Sequence, residues 1–189
     1  MSVIRQLSLF GVEASPPEPG DLAGLMIAGG AIVEHDGAAQ LSIMVGHPWR
    51  ATAIVSECAR RGISATSLAT ETTAVGVRTS FTPALLDLAR SWIGDGGRPP
   101  REIRFDARVL RLWAIAVGYR DETSYELPIG VSDEPFRDAV GAALAGLGVA
   151  AQLVSRRHSF RIVGKRRLDR LAEMLGDAPR QAPPGAWPS

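Results

Sequence analysis

The sequence is poor in cysteine, lysine and histidine, and each shortage excludes something. The one cysteine, Cys58, rules out an intrachain disulfide framework and any thiolate-cluster metal site, and reads as a small buried hydrophobe. A single lysine, Lys165, stands among 21 basic residues; an arginine bias of this kind, with abundant Ala and Gly, points to a GC-rich genome and lowers the weight of any lone arginine as a phosphate ligand. His35, His47 and His158 are too scattered for a histidine metal site or a nucleophile triad. No apolar run approaches the ~20 residues of a membrane span, so membrane insertion is not expected. Arg5 and Gln6 fall inside what would have to be the apolar part of a signal peptide, and no small-residue cleavage site follows; a cytoplasmic protein is therefore expected.

What is present is an ordinary globular mixture, 46% hydrophobic and 22% charged, over 189 residues, long enough to bury a core. Net charge is only +1, yet two thirds of the basic residues lie after residue 100. Three breaks organise the chain. ASPPEPGD sets off residues 1–20 as a tail, GDGGRPPR marks a linker over 95–105, and a Pro-rich stretch sets off 177–189.

The two segments between, 21–94 and 106–176, read alike. In the first, Asp21 is placed to N-cap a helix through LAGLMIAGG, followed by two strands joined at Asp36-Gly37, a helix from Pro48 to Arg61, two strands and a helix ended by Gly94. The second repeats this order with a truncated first strand near Arg120 and Asp121, and Pro48-Trp49-Arg50 aligns with Pro135-Phe136-Arg137, as Gly30 does with Gly118. An α+β fold of two tandem αββαββα repeats, an internal duplication, is predicted.

Leu22-Ala23-Gly24-Leu25-Met26-Ile27-Ala28-Gly29-Gly30 resembles the LAGLIDADG motif of homing endonucleases, and residues 110–119 resemble a degenerate second copy that keeps the terminal glycine and the small residues. The resemblance covers residues 21–176 and implies that the two motif helices pack together across a pseudo-twofold axis, under a saddle-shaped sheet surface that sits on DNA, in a monomer. In cutting members an acidic residue before each terminal glycine holds divalent metal; here those positions are Gly29 and Val117, which cannot ligate a cation. No catalytic residue, metal or cofactor is therefore expected. Glu34, His35, Asp36, Asp121 and Glu122 offer relocated ligands, although hairpin polarity explains them as well.

A basic surface suited to phosphates and base edges is sought in the run Arg156 to Arg170, with seven basic residues and one acid. Arg156, Arg157, Arg161, Lys165 and Arg166 are the candidate contacts to duplex or structured DNA, joined by Arg78 and Arg120 in other strands; a solvated charged face is the competing explanation. In the tail, Gln6-Leu7-Ser8-Leu9-Phe10 resembles the peptide by which bacterial polymerases and repair proteins grip the sliding clamp, the beta subunit of DNA polymerase III. That likeness implies a polar anchor in Gln6 and apolar ones in Leu7, Leu9 and Phe10, whereas an added edge strand is the structural alternative. Together these features predict a non-catalytic, nucleoid-associated DNA-binding accessory protein of replication or repair, recruited by the clamp. A transcriptional regulator similar to the WhiA type, a metal-dependent nuclease with relocated carboxylates and a protein-binding scaffold are the alternatives.

Overall fold

A computed structural model describes residues 16–70, 73–94, 99–100, 104–131 and 133–188. The order is α1 (Ala23–Ile27), β1 (Ala31–His35), β2 (Ala38–Val45), α2 (Pro48–Ala59), β3 (Ala65–Ala69), β4 (Val75–Thr79) and α3 (Leu86–Ile93). It then repeats as α4 (Ala107–Val117), β5 (Tyr119–Asp121), β6 (Ser124–Pro128), α5 (Glu134–Gly146), β7 (Gln152–Val154), β8 (Ser159–Val163) and α6 (Lys165–Leu175). The predicted succession of elements is thus present twice. Each half builds a four-stranded antiparallel sheet, β1-β2-β4-β3 and β5-β6-β8-β7. Among the described residues no helix is long and apolar enough to cross a membrane.

Local sequence explains most of these elements. Asp36 (φ 48°) and Gly37 (φ 72°) both take the left-handed backbone that a two-residue hairpin turn needs at its two central positions. Asp106 caps α4, its carboxylate accepting from the backbone N–H groups of Arg108 and Val109 at 2.9 and 3.1 Å. Along β2 buried Ala39, Leu41, Ile43 and Val45 alternate with Gln40, Ser42 and Met44, so one sheet face meets the helices and the other turns away.

The two motif helices are the centre of the molecule. Leu110, Leu112, Trp113, Ala114 and Ile115 of α4 are all 0% exposed, and every residue of this helix except Arg111 and Val117 is buried, so packing covers it on nearly every side. It meets α1 at Gly24, where a Cβ would stand 2.2 Å from the Val109 carbonyl oxygen and 2.9 Å from the Trp113 nitrogen. Only a residue without a side chain permits that approach. At the far end the C-terminal carbonyls of α4 receive a guanidinium: Arg50 of α2, buried, donates to Ala114 O (3.2 Å), Ile115 O (2.6 Å) and Gly118 O (2.6 Å). A cation on these orphan acceptors complements the negative end of the helix. Burial lowers the Arg50 pKa, an effect that outweighs the opposing influence of Tyr125.

Two expectations are corrected. Asp21 does not cap α1; the chain enters through a 3₁₀ turn, Pro19–Leu22, and the buried Asp21 carboxylate takes Arg61 at 2.9 Å. Arg61 also binds Glu57 at 2.7 Å, and Glu57 meets Arg111 of α4 at 3.2 Å, which ties α2 to α4 and to the turn that leads into α1. Nor are the Pro-rich residues after 176 a free tail. Trp187, 8% exposed, donates its Nε1–H to Gly176 O at 2.9 Å and its ring lies 5.3 Å from the Arg111 guanidinium carbon, while Arg111 donates to Asp177 O at 2.8 Å. Proline fixes φ without preventing packing, so composition alone misleads there.

The packing at Gly24 yields a direct test. Gly24→Leu should destabilise the protein by at least about 1 to 3 kcal/mol, because the nearest obstacles are backbone atoms that cannot swing aside. An unchanged thermal or urea melt would mean that the two helices are not held this closely.

Candidate nucleic-acid interface

The sheet faces turned away from the helices can be read directly from strand register. On the first sheet the row Ala31, Ser42, Arg78 and Thr66 runs across the strands, flanked by Met44, Gly76 and Leu68. On the second the corresponding rows are Tyr119, Glu126, Arg161 and Gln152, and then Pro128, Ser159 and Val154. Arg78 and Arg161 are therefore duplicate positions, each in the strand beside the second of its repeat. The sequence puts Arg78 and Arg120 in comparable strand regions. Register instead places Arg120 opposite Tyr125, whose side chain is fully buried, so Arg120 belongs to the helix side of its sheet.

The two duplicate arginines live in different surroundings. Opposite Arg78 stand Ser42 and Thr66, both neutral, and Arg78 is exposed. Opposite Arg161 stands Glu126, which is 0% exposed. The Ser159 hydroxyl donates to it at 2.6 Å, and Arg161 Nε donates to its other oxygen. A carboxylate out of water needs such partners. The hydrogen bond to Glu126, with its charge, raises the Arg161 pKa above the ordinary arginine value. Asp121 adds a second acid, 3.9 Å from both Arg157 and Arg161.

The remaining candidates are spread around the second repeat. Arg156 and Arg157 occupy an exposed 3₁₀ turn, Ser155–Arg157. Lys165 and Arg166 are exposed at the start of α6, with Lys165 on Asp169 at 3.0 Å, beside an open hollow of about 850 Å³ that Arg167 and Arg170 also line. The structure thus brings Arg157 and Arg161 to the same acid, Asp121, sets Arg78 on the other sheet and leaves Lys165 and Arg166 at a helix start. Gln6, Leu7, Leu9 and Phe10 lie outside the described residues.

The two motif positions where the resemblance would put metal-holding acids do not fit that role. Gly29 and Val117 have no side-chain oxygen. At Gly29 the backbone is left-handed, φ 101°, and Gly130 presses on it: a Cβ on Gly130 would stand 2.3 Å from the Gly29 Cα. Gly130 N–H donates to Ile27 O at 2.9 Å, so the loop after β6 is fastened to the end of α1. The hairpin acids sit elsewhere. Glu34 approaches Arg90 at 3.9 Å and His35 contacts Asp36 at 3.1 Å, out along strands that lead away from the motif glycines, roughly 3.3 Å further with each residue. Among the described residues no cluster of three His, Cys, Asp or Glu could hold a metal ion. The Cys58 thiol is pushed up to about 11 by burial, so it has no thiolate chemistry near neutrality.

Sequence reading missed Glu126, Gly130 and Arg50. The first two needed the register and the loop packing. The third had a signal, since an arginine inside an apolar helix must find acceptors.

No model of a protein family matches the sequence, and no curated protein matches it. Solved structures do match in fold. The N-terminal LAGLIDADG domain of DUF199/WhiA superposes with a TM-score of 0.61 at 12% identity, over 89% of this chain and 86% of that one. Full-length DUF199/WhiA from Thermatoga maritima gives 0.59 at 10% identity, over 84% of this chain but 54% of that one. The homing endonuclease I-WcaI bound to its DNA recognition sequence gives 0.58 at 11% identity, over 85% and 81%. The chain has the LAGLIDADG fold in two repeats.

The contact at Gly130 is open to a small change. Gly130→Ala should cost about 1 to 3 kcal/mol or more, because the added methyl meets the Ala28–Gly29 backbone, which cannot swing aside. A melting curve like that of the unaltered protein would mean that Gly130 does not press this closely on Gly29.

Proposed function

We propose that this protein is a non-catalytic DNA-binding accessory protein of replication or repair, a monomer held at the bacterial sliding clamp by Gln6, Leu7, Leu9 and Phe10. One observation supports the reading most: a LAGLIDADG fold, shared with an endonuclease solved on its DNA site, carries Gly29 and Val117 where a metal pair would require acids. What the fold then offers is a sheet surface able to follow a duplex without cutting it. The weak net charge of +1 argues against delivery by bulk electrostatic attraction, and a clamp-gripping peptide supplies delivery by another route.

Likeness to the WhiA domain favours a second reading, a DNA-binding regulator of transcription in which the tail peptide has no role. A nuclease with relocated carboxylates is disfavoured by the position of Glu34, Asp36 and Asp121 along or beyond the first strands and by their engagement with Arg90, His35 and Arg161. The domain assignment follows the same reading: a peptide-bearing segment over 1–20, repeats over 21–94 and 106–176 with a linker at 95–105, and a closing segment at 177–189.

For the DNA part, affinity for a duplex is measured against salt. Arg156, Arg157 and Arg161 changed together to Ala should weaken binding and flatten the salt dependence, chiefly through Arg156 and Arg157 because Glu126 holds Arg161, since each lost phosphate contact removes about one released counterion. Glu126→Gln should act oppositely, freeing Arg161 and steepening the slope by up to about one. Affinity and slope that ignore both changes would make this run a solvated face.

For the clamp part, Leu9 and Phe10 changed together to Ala remove two apolar anchors, each worth roughly 1.5 to 3 kcal/mol when buried. Clamp affinity should fall at least about tenfold with the melting curve unchanged. A lower melting temperature together with no clamp affinity in the unaltered protein would assign the segment to the fold and favour the regulator.

A further inference from the structure

The outer face of the first sheet has chemistry that the basic run does not share. Met44 is 57% exposed and Leu68 46%; they flank Gly76 in one cross-strand row. A Cβ on Gly76 would stand 3.4 Å from the Met44 sulfur and 3.7 Å from the Leu68 Cβ, so the two side chains close over the glycine into one apolar shelf. The shelf borders a hollow of about 340 Å³ lined also by Gly29, Ala31, Ser42 and Arg78. The next row outward carries Arg78 between Ser42 and Thr66. The described residues of this face include no acid, because Glu34, the one carboxylate within these strands, pairs with Ala39 of the core face and leans to Arg90 of α3.

An apolar shelf one row from an arginine matches two features of a duplex groove. In the major groove thymine alone presents a methyl group, and guanine presents the paired acceptors that a guanidinium takes bidentately. Rows on one strand face repeat about every 6.8 Å, and base pairs rise about 3.4 Å along the axis. Strands running along a groove therefore bring adjacent rows to base pairs two steps apart. The second sheet cannot reproduce this. Its equivalent arginine, Arg161, is held by Glu126, and the row equivalent to the shelf is Pro128, Ser159 and Val154, with the Ser159 hydroxyl given to the same carboxylate.

We infer that base reading is confined to the first repeat, where Met44 and Leu68 take a thymine methyl and Arg78 a guanine two base pairs away, while the second repeat contributes no base contact through Arg161. The inference rests on the DNA-binding reading and names what that surface recognises. It makes Met44, Leu68 and Arg78 specificity-determining residues, and it makes recognition asymmetric in a fold that began as a duplication.

The experiment selects binding duplexes from a random 20-base-pair library with the full chain, then measures affinity for a selected duplex and its analogues. Selected sequences should share a thymine and a guanine two base pairs apart. Deoxyuridine in place of that thymine removes only the methyl and should weaken binding about threefold to fourfold. Met44 and Leu68 changed together to Ser should abolish sensitivity to deoxyuridine while leaving the guanine preference. Arg78→Ala should abolish the guanine preference, about tenfold or more. Retained duplexes with no common thymine and guanine, or indifference of the unaltered protein to deoxyuridine, would overturn the inference while leaving DNA binding in place, and would give the shelf to a protein partner. Failure to retain any duplex would bring down the DNA-binding reading itself. The deoxyuridine comparison uses unaltered protein, so it stands even if a variant folds poorly.

Discussion

The approach of α1 to α4 at Gly24 is the constraint on which the rest depends. Because the two backbones nearly touch there, both helices must be buried, and a buried helix pair needs its polar ends satisfied from outside. Arg50 supplies the donors at the end of α4. Asp21, Arg61, Glu57 and Arg111 form a chain of charges that fixes α2 and the closing segment to the same pair. Burial alone would raise the Glu57 carboxyl, but the Arg61 hydrogen bond and the charges of Arg111, Arg61 and Arg60 outweigh it and hold the pKa below the ordinary range. A depressed folded-state value stabilises the protein above the unfolded carboxylate pKa, and that contribution is lost as pH falls through the folded one. The packing at the axis is thereby coupled to charges at the periphery.

The same constraint explains what could be read from the sequence. Small residues at motif spacing, the Asp36-Gly37 turn and the Pro48 helix start act over a few residues, and each appears where local chemistry placed it. Features that failed act over distance. Asp21 looks like a cap because Asp caps helices, but it meets Arg61, forty residues on, before it can serve locally. Trp187 looks exposed in a proline-rich stretch until Arg111 and Gly176 give it a surface. Arg161 looks free in a basic run because Glu126 lies on another strand, and only register brings them opposite.

The duplication itself has been spent unevenly. The first repeat keeps the glycines of the motif and the hairpin of full length; the second keeps the longer, better capped helix and a truncated hairpin. Arg50 and Arg137 occupy matching places, yet Arg50 caps α4 whereas Arg137 Nε is buried with no hydrogen-bond partner among the described residues. Gly29 gives way to Gly130, while Gly46, the glycine at the matching loop, meets nothing within 4 Å. Each difference relaxes one half from the symmetry the other would impose.

That relaxation bears on how so nearly neutral a chain could use DNA at all. A surface that neutralises many phosphates needs many unpaired cations, and here two arginines are already committed: Arg161 to Glu126 and Arg61 to Asp21. On the DNA-binding proposal, affinity would then come from a few local contacts. Contacts so few discriminate well only if the rest of the surface adds little non-specific attraction, because specificity is the ratio between the two. On the proposed reading, weak net charge and internally paired arginines keep that background low, and a tether to a clamp encircling DNA would raise the effective concentration that weak local contacts need. On this view the lost acids, the paired arginines and the tail peptide are parts of one arrangement, in which delivery and recognition are carried by different ends of the chain.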